Sequence, residues 1–245
     1  MLPPADTALA LLIVVLLPVR AWFGMRTLKA APTEALPALR RRLWRRAILS
    51  QWALVALVLA VWLGARRSQA ALGLSFRPTV GLAGVLVGLA TIVSIVVRQR
   101  GAVEHDEDIR SRIRARLAPV ERLMPRSRAE LPLFSALAIT AGCCEELLFR
   151  GYLLWVAGQV MPFPLAAAAQ ALVFGLCHAY QGGRGIVLTT FAGAFLTGVV
   201  LVAGSLPPAM LIHALMDLHA GDLARRVFPP DPPAEDVAAG APGHA

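Results

Sequence analysis

The stretch LPLFSALAITAGCCEELLFRGYLLWVAGQV, residues 131–160, decides how this chain is read. It is apolar almost throughout, and its charged side chains, Glu145, Glu146 and Arg150, sit together in the middle. About 20 apolar residues suffice for a helix to cross a bilayer, so the run reads as a membrane helix. An ionised group at the centre of such a helix costs about 2–3 kcal/mol on insertion scales, so these three must face protein or water.

Outward from there, apolar runs recur near 7–24, 47–64, 79–97, 163–183, 186–204 and 207–223, with 133–160 the fourth of seven. Over 245 residues, 57% are hydrophobic, 16% are charged and the mean hydropathy is positive. A soluble domain is about 45–50% apolar and about 25% charged. The expected fold is therefore all-α, a polytopic membrane bundle of about seven transmembrane helices. The composition excludes a water-soluble enzyme, a disordered chain and, with three cysteines inside apolar runs, a disulfide scaffold.

The net charge of +9 reflects topology rather than nucleic-acid binding, because the basic residues lie between apolar runs. Arginines and lysines number eight in the first connection, counting Arg20 just before it, and nine in residues 98–130, with Arg184 after the fifth run and Arg225 and Arg226 after the seventh. Against these 20, the opposite side carries three, namely Arg66, Arg67 and Arg77. This bias predicts an N-terminus outside and a cytoplasmic C-terminus. Residues 1–130 form an N-terminal three-helix region with basic cytoplasmic loops. Residues 131–228 form a four-helix core, and 229–245, rich in Pro, Ala and Gly, a disordered tail. Residues 98–130 read as an amphipathic, partly helical surface segment. Trp22, Trp44, Trp52 and Tyr180 fit interfacial anchors.

Further ionisable groups fall inside later runs: His178 in the fifth, and His213, Asp217 and His219 in the seventh. Helical spacing relates them. Glu146 and Arg150, four apart, pair on one face, and so do His213 and Asp217. Glu145 lies about 100° around the helix from Glu146 and is free to face a cavity. Phe174 shares a face with His178. His219 points elsewhere and is left out. A free carboxylate and two histidines from three helices suggest one site holding water, with Glu145 as general base. Their depths agree if the fourth crossing occupies 139–160, with 131–138 along the surface.

Glu-Glu-Leu-Leu-Phe-Arg (145–150), Phe-Gly-Leu-Cys-His (174–178) and His-Ala-Leu-Met-Asp (213–217) occur in this order. They resemble the Glu-Glu-x-x-x-Arg, Phe-x-x-x-His and His-x-x-x-Asn/Asp motifs of the CPBP family of intramembrane proteases, also called the CAAX-protease and bacteriocin-processing, or Abi, family. The likeness covers about 131–223. It implies a membrane endopeptidase without a cofactor, acting on a membrane-associated protein or peptide. Glu145 and His178 would activate water, and His213 and Asp217 would stabilise the oxyanion. Glu146, Arg150 and Phe174 would support them. Asp217 stands where the prenyl-protease branch usually has Asn, and an ionised Asp donates no hydrogen bond. A zinc-dependent version would use Glu145, His178, His213 and Asp217 as ligands. A non-catalytic immunity or partner-binding protein is the alternative of another class. The Arg- and Ala-rich composition points to a bacterial inner membrane, and C-terminal processing or sorting-signal removal is the implied role.

Overall fold

The computed structural model describes residues 2–75 and 80–231. Among them the chain is helical, with no strand. Seven helices coincide with the seven apolar runs: α1 Pro4–Ala30, α2 Leu36–Gly64, α3 Val80–His105, α5 Leu131–Gly158, α6 Phe163–Cys177, α7 Gly183–Ala203 and α8 Pro207–Val227. The eighth, α4 Glu107–Leu117, lies in the segment expected to be amphipathic. Asp106 caps it by accepting from the Ile109 N–H at 3.0 Å, and Ile113 packs with Val103 on Leu223 and Val227.

Five of these helices, α1, α2, α3, α5 and α7, are long and apolar enough to cross a membrane. The seven expected crossings are thus not all matched. The fifteen residues of α6 span about 22 Å, less than the roughly 30 Å of a hydrocarbon core. α8 has the length but carries histidines, aspartates and arginines along it.

Helix α5 begins at Leu131, so residues 131–138 are its first two turns and not a surface approach. Glu145 is fourteen residues, about 21 Å, from that end. Glu145 and His213 still share a level because α8 runs on to Val227, past the expected Leu223, whereas His178 stands at the very end of α6. His213 is likewise fourteen residues from Val227, and the two helices are antiparallel. Gly142 of α5 lies against Ala214 and Met210, and Phe134, two turns earlier, against Gly221. Added Cβ atoms at these glycines would collide with the partner helix, which is why the axes come so close.

Helix α2 runs parallel to α5. Trp44 packs edge-on against Phe134 with ring centroids 5.4 Å apart, and Trp52 Nε1 donates to the Thr140 hydroxyl at 3.2 Å. Trp44 is buried, its indole bonded to the Leu123 carbonyl. It is a core residue, not an interfacial anchor. The main core gathers Leu9, Ile13 and Leu17 of α1, Val55, Val58 and Trp62 of α2, and residues 147–153 of α5. α3 meets α7 and α8 through an apolar seam of Val85, Leu89 and Ile92 against Leu196, Val199 and Ile212, and nearer its end through Gln99, Arg100 and Val103 against α8.

Buried ion pairs clamp both ends. At the arginine-rich end Arg40 pairs with Glu130 at 2.9 Å and with Asp231. Arg126 donates to the Pro229 carbonyl. Residues 229–231, the start of the tail expected to be disordered, are therefore tied down; its remainder lies outside the described residues. Arg122 closes the end of α1 by donating to the carbonyls of Leu28 and Ala31 at 2.9 and 2.8 Å. At the opposite end Asp6 accepts from Arg67 at 2.7 Å and from the Tyr152 hydroxyl at 3.0 Å.

Candidate active site

The middle of α5 is not uniformly wound. Leu131–Glu146 is α-helical, Leu147–Leu153 forms a π-helical segment, and Leu154–Gly158 resumes the α pitch. Single π turns inside α-helices are frequent at functional sites. Glu145 and Glu146 stand at the junction.

Glu146 is fully buried, with one oxygen shared by two donors. Arg150 Nη1 donates to Oε1 at 2.8 Å, and His213 Nδ1 lies 2.7 Å from the same atom. Both Glu146 and Arg150 have 0% side-chain exposure. Arg150 also donates to the Gly193 carbonyl at 3.0 Å, and its guanidinium sits 4.2 Å above the Phe174 ring. The expected pair along the helix is present. It further ties α5 to α7 through Gly193 and to α8 through His213.

Glu145 faces another way, as the 100° rotation requires. Its Oε1 accepts from Gln51 Nε2 of α2 at 3.1 Å, and its Oε2 lies 4.0 Å from His213 Nε2. The same Nε2 is 3.8 Å from Asp217 Oδ2, one turn along α8. With Nδ1 held by Glu146, the ring of His213 presents Nε2 between two carboxylates. Exposure grades outward: His213 is buried, Glu145 keeps 15% of its side chain exposed and Asp217 43%.

His178 caps the end of α6. Its Nδ1 lies 2.8 Å from the Phe174 carbonyl and its ring leans on Phe174, with centroids 4.8 Å apart and planes tilted by 52°. Phe174 in turn meets the edge of His213 with centroids 6.0 Å apart. His178 therefore joins the group through Phe174 and makes no direct hydrogen bond to Glu145 among the described residues. The tether leaves Nε2 as its outward-facing nitrogen. The chain reverses just beyond, at Gly182, whose φ of +84° favours glycine. Tyr180, expected as an anchor, instead lies 5.8 Å from His178.

Glu145, Glu146, Arg150, Phe174, His178, His213 and Asp217 thus meet in one region. His219 does not: it bonds Gln99 of α3 at 2.8 Å. Gln51 was missed by the sequence reading, although an amide inside an apolar run is the signal that would have found it. Among the described residues no group of three or more His, Cys, Asp or Glu is disposed to hold a metal ion.

An acid–imidazole–acid array among packed apolar helices, with its imidazole buried, defines a class, the polytopic membrane proteins that carry ionisable groups within their helices. Residues 127–219 match the family model described as type II CAAX prenyl endopeptidase Rce1-like. This stretch belongs to the CPBP (Abi) protease family, and it contains every residue anticipated for the site; Gln51 of α2, which was not anticipated, lies outside it. No curated protein and no solved structure matches the chain.

Proposed function

We propose that this protein is an intramembrane endopeptidase that hydrolyses a peptide bond of a membrane-associated protein or peptide with water activated by Glu145 and His178. The observation that carries the reading is the approach of Glu145 to the free nitrogen of His213, while Glu146 fixes the other nitrogen of that ring. Glu145 takes a proton from water held against His178 Nε2, and the oxygen attacks the scissile carbonyl. His213, protonated on both nitrogens, donates Nδ1–H to Glu146 and Nε2–H to the oxyanion. One such donor is typically worth about 3–4 kcal/mol of transition-state stabilisation. Glu145 then returns its proton to the leaving amine, which completes the hydrolysis without net proton change. Asp217, 3.8 Å from His213 Nε2, sets a second carboxylate beside the protonated ring and stabilises its charge, a role an ionised aspartate can fill where it could not donate. Gln51 orients Glu145, and Arg150 balances Glu146. No step requires a metal.

The setting we infer is a bacterial inner membrane, with the arginine-rich end of the bundle in the cytoplasm. The reaction there is C-terminal processing or removal of a sorting signal. The test compares peptide termini in membranes of cells carrying the wild type, Glu145→Ala or His178→Ala. Loss of the same terminus in both variants supports the assignment and identifies the bond. Undiminished cleavage in either removes it. Normal biological function in the Glu145→Gln, His178→Ala double variant would assign a non-catalytic immunity or partner-binding role instead.

A further inference from the structure

We propose that Arg20 is the receptor for the free C-terminal carboxylate of the substrate, so that its separation from Glu145 sets how far from the end a tail is cut. The assignment rests on proteolysis at Glu145 and adds the recognition element to it.

Arg20 stands inside α1, ten residues or about 15 Å before its end at Ala30. It turns toward α2, where Nη1 donates to the Ser50 hydroxyl and makes a long 3.4 Å contact with the Arg46 carbonyl. Ser50 adjoins Gln51, whose amide holds Glu145. The guanidinium is within electrostatic reach of both Glu145 and Tyr180. It therefore sits at the arginine-rich side of the site, the side a tail from the cytoplasm would reach first.

Its place and its partners together set it apart. Arg40 has Glu130, Arg67 has Asp6, Arg126 has Glu121 and Arg150 has Glu146. Arg114 and Arg122 also lack a carboxylate, but they close helix ends by donating to the carbonyls of Val227 and of Leu28 and Ala31. Among the described residues Arg20 has no carboxylate at ion-pair distance, only a neutral hydroxyl and a backbone oxygen. A guanidinium offers five donors in a planar fork that matches a carboxylate two-pronged. An arginine kept for neutralising Glu145 would pair with it directly. A terminal carboxylate, presented as the scissile bond settles at Glu145, supplies the missing anion. A lipid phosphate offers the same oxygen chemistry, but the inward turn onto Ser50 favours a ligand that lies in the site.

The test uses full-length protein in phosphatidylcholine vesicles and one N-acylated peptide bearing the cleaved sequence, made as the free acid and as the carboxamide. A charge-assisted hydrogen bond predicts a KM at least about tenfold lower for the acid, at similar kcat. Arg20→Gln should raise the KM of the acid to that of the amide, and Arg20→Lys should keep part of the preference. Thermal melting of each variant separates this from misfolding, because a merely structural role would lower both substrates alike. Equal KM values in the wild type, or an undiminished preference in Arg20→Gln, overturns the assignment. So does Arg20-dependent stimulation by phosphatidylglycerol without any acid preference, which would make the anion a lipid phosphate. Cleavage by Glu145→Ala would sink the proteolytic reading itself; Glu145-dependent cleavage blind to the terminus sinks only the role of Arg20.

Discussion

Replacing Arg150 by Met removes the cation from a carboxylate that has no contact with solvent. Glu146 then keeps only the His213 ring, while the bond to the Gly193 carbonyl and the contact over Phe174 are also lost. Breaking one partner of a buried ion pair costs about 3–5 kcal/mol, because the survivor stays buried and uncompensated. For a chain of this size each kcal/mol lowers the melting temperature by about 2–4 °C, so the drop should be roughly 6–20 °C. Glu146→Leu, which strands Arg150 in turn, should cost a similar amount. The double variant Glu146→Leu/Arg150→Met buries no charge and should melt close to the wild type, since apolar replacements of buried pairs are often neutral or stabilising. Its cleavage activity should nonetheless stay lost, because His213 Nδ1 has lost the acceptor that aims its ring. Thermal unfolding in detergent, followed beside a cleavage assay, reads both quantities. Singles as stable as the wild type, or a double variant that recovers activity along with stability, would refute the reasoning.

Gln51→Leu deprives Glu145 of its donor, and the loss of a hydrogen bond to a charged group should lower kcat/KM about tenfold or more with little change in melting temperature, measured by steady-state cleavage. Gly142→Ala places a Cβ 2.7 Å from the backbone nitrogen of Ala214, so α5 and α8 must separate. An overpacking cost of about 1–3 kcal/mol should appear in thermal unfolding, with a fall in kcat as His213 moves from Glu145. Asp6→Ala strands Arg67 and the Tyr152 hydroxyl far from the catalytic carboxylates, and should cost about 3–5 kcal/mol in stability. Its kcat, measured well below the melting transition, should stay within a factor of about two of wild type, as expected for a site with no shared partner. His219→Ala breaks only the bond to Gln99 and should leave cleavage unchanged; a loss of activity would mean that the geometry on α8 has been misread.

The helices were legible because lipid and neighbouring helices demand the same thing of a segment: an apolar run of sufficient length. The pairing of Glu146 with Arg150, and of His213 with Asp217, was legible because a spacing of four puts side chains on one face. What spacing along one helix does not contain is the partner on another. That Glu146 would hold His213 as well as Arg150 depends on α5 and α8 lying antiparallel, which Gly142 and Gly221 permit but do not announce. Gln51 and Arg20 fell outside the motif-bearing stretch, and each looked like an ordinary polar residue near the end of an apolar run. The ends of α5 and α8 differ from expectation for separate reasons. Residues 131–138 are as apolar as the rest of α5, so hydrophobicity does not say which part lies along a surface. The last turns of α8, by contrast, carry Asp222, Arg225 and Arg226 where its apolar run gives out. Trp44 shows the same weakness: an indole near a helix end looks like an anchor until Phe134 and the Leu123 carbonyl claim it.

The π-wound stretch Leu147–Leu153 gives α5 a place where length can be lost. Its wider coil takes up more residues per unit length than the flanking turns, so removing a single residue there would let the coil tighten toward the α pitch while the turns on either side keep their facing. A residue lost from Leu131–Glu146, already wound at the α pitch, would instead swing everything before it by about 100°, and Phe134 would leave Gly221 while Glu145 stayed in place. The connection between α4 and α5 offers no slack either, since Arg122, Arg126 and Glu130 are each tied down within it. The spare length of this rod thus lies beside its paired carboxylates, and tolerance to deletion along it should be sharply uneven.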